Sequence, residues 1–171
     1  MTTTPPLRIC VLPGDGIGVE VIEATVPLLE KLAHGAPFAF AFSRHPAGAL
    51  PFRATGDALP QAALDAARDA DAILFGAMGW PEIRYHDGTE IAPQLDLRIA
   101  LELYAGVRPA RAIPGLRLPL ADPRAREIDL VVVRESTEGP FASRGKGVID
   151  DDREARDTMV ITRRGSERVH D

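Results

Sequence analysis

Three arginines stand where a fixed cationic fork could do chemistry. Arg98 lies in QLDLRIALELY, Arg108 in AGVRPA, and Arg134 closes IDLVVVRE. A guanidinium held beside rigid backbone makes paired, planar contacts with a carboxylate. If the three converge, they would clamp a small molecule carrying two or more carboxylates. Arg134 is the strongest candidate, because it ends an apolar strand, where open α/β sheets place their ligands. The alternative for each is a solvated surface arginine. A second feature is LPGDGIGVEVIE, with glycines at 14, 16 and 18 between a strand and a helix. The spacing is not G-x-G-x-x-G, and PFAFAFS is followed by Arg44 and His45 rather than an acidic residue. As a Rossmann fingerprint it is weak, and tight turning alone would account for the glycines.

Other chemistry finds little support. His34, His45, His86 and His170 are scattered without HxxxH or HExxH spacing, which argues against a histidine zinc site. The acidic run Asp150–Asp152 reads as a turn, either solvated or able to hold a cation. Cys10 is the single cysteine, so no intrachain disulfide forms, and a reducing cytoplasm is the expected setting. The net charge of −5 gives no reason to expect nucleic acid or an anionic membrane as partner. The apolar runs are too short for a membrane span, and MTTTPPLRIC carries no expected secretory signal. With 171 residues and 45% apolar content, the chain is long enough for a globular domain.

Elements that would position these residues alternate along the chain. LRICVLP (7–13) reads as a buried strand. Residues 18–33 read as a helix with Ile22, Val26, Leu29 and Ala33 in line and Leu28 and Leu32 widening the stripe. Pro27 predicts a bend there. PFAFAFS (37–43) is strand-like, with Phe38, Phe40 and Phe42 on one face. HPAGALPFRATGD reads as turns. A helix over 60–70 presents Leu59, Ala62, Ala63, Ala66 and Ala67, and DAILFGA (71–77) is a strand. After a loop (78–93), a helix over 94–104 aligns Leu97, Leu101 and Tyr104. GVRPARAI is extended, and IDLVVVRE (128–135) is the clearest strand. FASRGKGVID and RDTMVITRR read as arms of a hairpin. In RRGSERVHD, Gly165 and Ser166 read as a stop and a new helix cap with five residues after it. That is too short for an independent helix, so the chain is expected to be the front part of a longer protein; a frayed terminus is the alternative.

Four segments in this order, LPGDGIGVEVIEATVPLLEKL, DAILFGAMGWP, LDLRIALELYAGVRPA and DLVVVRESTEG, resemble the front half of the isocitrate/isopropylmalate dehydrogenase family, which includes tartrate dehydrogenase. The resemblance runs from about Leu7 to the C-terminus. It implies an α/β fold of the isopropylmalate dehydrogenase type, with a mixed sheet flanked by helices and distinct from the Rossmann fold. It implies that residues 1–104 begin a first domain and 105–171 a second. The predicted hairpin over 141–163 would be a dimer arm, and the complete protein a homodimer. Arg98, Arg108 and Arg134 would bind the malate part of a dicarboxylate or hydroxy acid substrate. Ile17 and Gly79 would lie near the nicotinamide of NAD or NADP. The Mg or Mn ligands, the catalytic lysine and the adenosine loop of the family would all lie beyond residue 171, so this chain alone is expected to be inactive and to lack both catalytic residue and metal site.

Two departures matter. Where the family often reads R-E-x-T-x-G-x-Y, this chain reads RESTEGPF, and Phe141 occupies the place of the proton-donating tyrosine. A phenyl ring has no proton to give. Gln94 precedes Arg98 at a substrate-selecting place, and a polar amide there favours a polar hydroxy acid (tartrate, malate or isocitrate) over isopropylmalate; the alternative is that Gln94 faces solvent. Two functions remain open: the N-terminal portion of a metal- and NAD(P)-dependent oxidative decarboxylase, or a noncatalytic partner or regulatory subunit of such an enzyme.

Overall fold

The computed structural model describes residues 5–170 and divides into two compact units, 1–101 and 102–171. The first is built on a parallel sheet. Its central strand β1 (Leu7–Leu12) pairs on one side with β2 (Phe40–Arg44) and on the other with β3 (Ala72–Phe75). A central parallel strand must be covered on both faces, and the period of two in β1 does this. Ile9 and Val11 pack with Ile22 and Val26 of helix α1 (Ile17–Ala33), and with Phe40 and Phe42. Cys10 and Leu12 face the opposite way, toward Ala63 and Ala67 of α3 (Gln61–Asp69) and Leu97 of α4 (Pro93–Ala100).

Several expectations need correction here. Leu28 and Leu32 are 56% and 64% exposed, so the buried stripe of α1 is narrower than its apolar sequence suggested. Phe38 precedes β2 and is exposed. Ala62 of α3 is exposed as well. The stretch read as turns contains helix α2 (Ala49–Thr55), which ends at Gly56 in the left-handed region. Helix α4 stops at Ala100, because Glu102 takes a positive φ of 50° and turns the chain; Tyr104 therefore lies outside it.

In the second unit β4 (Ala105–Arg111) and β5 (Asp129–Glu135) form an antiparallel ribbon. Both of its faces are open: Val107, Val131, Val132 and Val133 are each 47% exposed or more. A two-stranded ribbon is marginal by itself. The expected arm is much shorter than its sequence. Among the described residues, β6 (Val148–Asp150) and β7 (Glu154–Arg156) pair as strands around Asp151 and Asp152 at positive φ, and a single antiparallel bridge joins Gly139 to Val160. Phe141–Lys146 forms consecutive turns instead, closed by Ala142 and Lys146 amides donating to the Gly139 and Ser143 carbonyls.

The last helix, α5 (Arg163–His170), starts two residues before the predicted stop at Gly165. Thr162 is its cap, with Oγ1 accepting from the Gly165 amide at 3.0 Å. Gly165 is inside the helix because a Cβ there would collide with the Glu138 carboxylate. No described helix is long and apolar enough to cross a membrane.

Candidate functional site

In the first unit the glycine-rich turn is shaped by backbone packing. A Cβ on Gly14 or Gly18 would strike the Ala77 carbonyl, and one on Gly76 would strike that of Pro13. These glycines let the loop after β1 lie directly on the loop after β3. Gly79 differs. Its φ of +115° suits glycine, and no atom lies within 3.6 Å of where its Cβ would be. Ile17 opens α1 and is 68% exposed.

Asp15 joins these segments, and sequence reasoning missed it. It is 3% exposed. Its Oδ2 accepts from the Ala49 and Gly79 amides at 2.7 and 2.8 Å, and its Oδ1 from the Leu50 amide at 2.8 Å. It thereby caps α2 from a distant point in the chain, which explains why α2 shows no cap of its own. The G-D-G motif was visible, but its partners at 49, 50 and 79 carried no local signal.

Gln94 sits in the first turn of α4, with its amide oxygen buried and without a hydrogen-bond partner. Solvent does not satisfy it. Arg98, half-buried in the last turn of α4, makes no ion pair or hydrogen bond with the described residues. Its charge there also complements the helix dipole.

In the second unit, Arg108 and Arg134 share one face of the ribbon. Arg108 stands opposite Val132 and Arg134 opposite Gly106, so the two are diagonal neighbours, with Cα atoms roughly 7–8 Å apart in such pairs. Neither forms an ion pair with a described carboxylate. The Arg134 guanidinium carbon lies 5.1 Å from the Phe141 ring centroid. Arg134 and Phe141 line a cleft of about 490 Å³ that also includes Met159, Ile161, Val169 and His170.

The carboxylates following Arg134 are occupied elsewhere. Glu135 accepts from the Thr137 hydroxyl and from the amides of Thr137 and Glu138, and pairs with Arg168 at 3.0 Å. Arg168 also lies over the Tyr104 ring at 4.6 Å. Burial pushes the Glu135 carboxyl up, but the hydrogen bonds from Thr137, Glu138 and Arg168 outweigh it and hold the group below its ordinary value. Glu138 accepts from the Thr162 hydroxyl and amide, and these bonds lower its carboxyl too. Glu135, Glu138, Arg168 and Tyr104 were not foreseen, because their partners are up to 64 residues away in the chain from one another (Tyr104 to Arg168).

The acidic turn is tied to arginines, Arg153 to Asp151 at 3.5 Å and Arg156 to Asp150 at 3.6 Å. Among the described residues no cluster of three or more His, Cys, Asp or Glu is arranged to hold a metal ion.

Fold and candidate site together are those of an α/β protein that presents arginine forks and a glycine-rich strand-to-helix turn. The chain belongs to the isocitrate/isopropylmalate dehydrogenase family, whose model matches residues 8–171. It is 39% identical over 166 residues to the 3-isopropylmalate dehydrogenase of Saccharopolyspora erythraea, covering 95% of this chain and 46% of that protein. It is likewise 39% identical over 162 residues to the 3-isopropylmalate/3-methylmalate dehydrogenase of Methanocaldococcus jannaschii, covering 95% and 43%. The crystal structure of isocitrate dehydrogenase from Methylococcus capsulatus superposes with a TM-score of 0.75 at 34% identity, covering 95% of this chain and 45% of that one. The chain spans about half the length of the curated relatives it matches.

Proposed function

We propose that this chain supplies the N-terminal portion of a metal- and NAD(P)-dependent 2-hydroxy acid dehydrogenase that decarboxylates oxidatively. In this reading Arg98, Arg108 and Arg134 hold the substrate carboxylates, and Ile17 and Gly79 border the nicotinamide. The chemistry is hydride transfer from a secondary alcohol carbon to the oxidised dinucleotide with loss of the hydroxyl proton, giving a ketone; the carboxylate β to that ketone then departs as carbon dioxide, and its bonding electron pair passes into an enolate that is protonated. A divalent metal would polarise that carbonyl, and its ligands would come from outside these residues. The observation that carries the reading is the pairing of Arg108 with Arg134 on one ribbon face, without carboxylate partners. Residues 1–104 would then begin one domain and 105–171 a second, with the β6–β7 ribbon as arm of a cytoplasmic homodimer.

Gln94 points to the substrate class. Its unpaired buried oxygen costs about 1–3 kcal/mol unless a donor meets it. A substrate hydroxyl would do so, which favours tartrate, malate or isocitrate over isopropylmalate. Calorimetric titration of these acids into the protein and its Arg134→Ala variant is the direct test. Loss of binding in the variant supports the clamp, and unchanged affinity removes it.

Phe141 favours a second reading, a noncatalytic partner subunit that keeps the clamp and binds a regulatory carboxylate. Steady-state turnover in the presence of the remaining family segments separates the two: the partner reading requires binding without hydride transfer.

A further inference from the structure

We infer that Asp15 is a positioning residue that sets the separation of the glycine-rich loop and the loop after β3. Its consequence for cofactor binding rests on the function proposed above. One carboxylate holds the Gly79 amide at 2.8 Å, and Asp15 is only two residues from Ile17. The main chain repeats the link, since the Asp15 amide donates to the Ala77 carbonyl at 2.8 Å. Trp80 lies beside Gly16, with 3.4 Å between its ring and the place of a Cβ. Gly79 is thus anchored to the Asp15 side chain by a hydrogen bond, and Ile17 follows Asp15 by two residues of backbone.

The geometry has a further consequence. The Gly79 N–H is engaged by Asp15 and is not available to a ligand. Gly79 offers its carbonyl and its open Cα face instead. The third and fourth bonds, from the start of α2, give the carboxylate its orientation and satisfy its second oxygen. A carboxylate buried among amide donors is a strong and directional acceptor. An amide in its place is a weaker, neutral acceptor, and its NH₂ group must face either the Leu50 N–H or those of Ala49 and Gly79, so a donor meets a donor in either orientation and the bridge loosens without a change of volume.

Amide hydrogen exchange tests the bridge without any nucleotide. In the unmodified protein the Gly79 amide is protected, and in Asp15→Asn it exchanges faster by about tenfold or more. The melting temperature is followed in parallel. A Gly79 amide that exchanges at the unprotected rate in the unmodified protein, or equally slowly in a folded Asp15→Asn variant, overturns the inference; the first measurement decides even if the variant does not fold. The cofactor consequence is read from NAD and NADP affinity beside hydroxy acid affinity. A selective loss of dinucleotide affinity in Asp15→Asn supports the positioning role, whereas equal losses for both ligands reduce Asp15 to a general structural part and overturn it. With the remaining family segments present, failure of the unmodified protein to bind either dinucleotide would remove the proposed function and leave the exchange result standing on its own.

Discussion

Arg134 holds its guanidinium carbon 5.1 Å from the centroid of the Phe141 ring. The ring that has no proton to donate still lies against the cation that closes β5. A cation over an aromatic face is worth about 0.5–1 kcal/mol at an exposed site. Phe141→Leu should therefore lower hydroxy acid affinity roughly two- to fivefold by freeing the guanidinium, while Phe141→Tyr retains it. Calorimetric affinities of the two variants check this. Equal affinity in the leucine variant and the unmodified protein would show that the ring does not orient Arg134.

Acid should loosen the attachment of α5. Glu135 and Glu138 both have carboxyls held below their ordinary value in the folded protein. A depressed folded pKa adds stability that is present above the unfolded value, about 4.3 for Glu, and is lost as pH falls through the folded value. The bonds to Thr162 and Arg168 should thus persist at neutral pH and release only in acid below that range. Amide proton shifts of Thr137, Glu138 and Thr162 report the titration, and a midpoint at or above the ordinary glutamate value would contradict it.

Backbone contact at the glycine-rich turn predicts unequal costs for alanine. Gly18 and Gly76 have ordinary φ values, yet a Cβ on either meets carbonyl backbone of the facing loop. Gly18→Ala and Gly76→Ala should each destabilise by about 1–3 kcal/mol. Gly147→Ala is the comparison, because its nearest atom stands 3.5 Å from the added methyl. Urea unfolding of the three variants would reveal whether the first two differ from the third.

Gln94→Leu should raise stability and change selectivity together. It removes a buried acceptor without a partner, a gain of about 1 kcal/mol or more. It also removes the group proposed to meet a substrate hydroxyl, so the ratio of tartrate to isopropylmalate affinity should fall. Thermal melting and competitive binding measure the two effects. Higher stability with an unchanged ratio would make Gln94 a structural imperfection only.

Periodicity carried the elements whose partners are near in sequence or need no partner to be recognised. The alternation in β1 places Val11 and Leu12 on opposite faces, and the i, i+4 pair Ile22 and Val26 fixes the buried side of α1. Helix α2 was illegible because its cap is Asp15, brought from 34 residues away by the fold. The start of α5 was misplaced because glycine at 165 reads as a stop, whereas it is there to admit Glu138. The arm sequence has apolar residues enough for long strands, but Gly145 and Gly147 favour the turns that shorten it.

The sequence by itself determined the family and the order of its motifs along the chain, because these reside in residue types at fixed spacing. Tertiary structure alone decided that Arg108 and Arg134 share a face, that Asp15 bridges Ile17's loop to Gly79, and that Glu135 and Glu138 are committed to Arg168 and Thr162. Hydrogen bonds and register join residues through space, and no local pattern encodes which distant donor a buried carboxylate will meet.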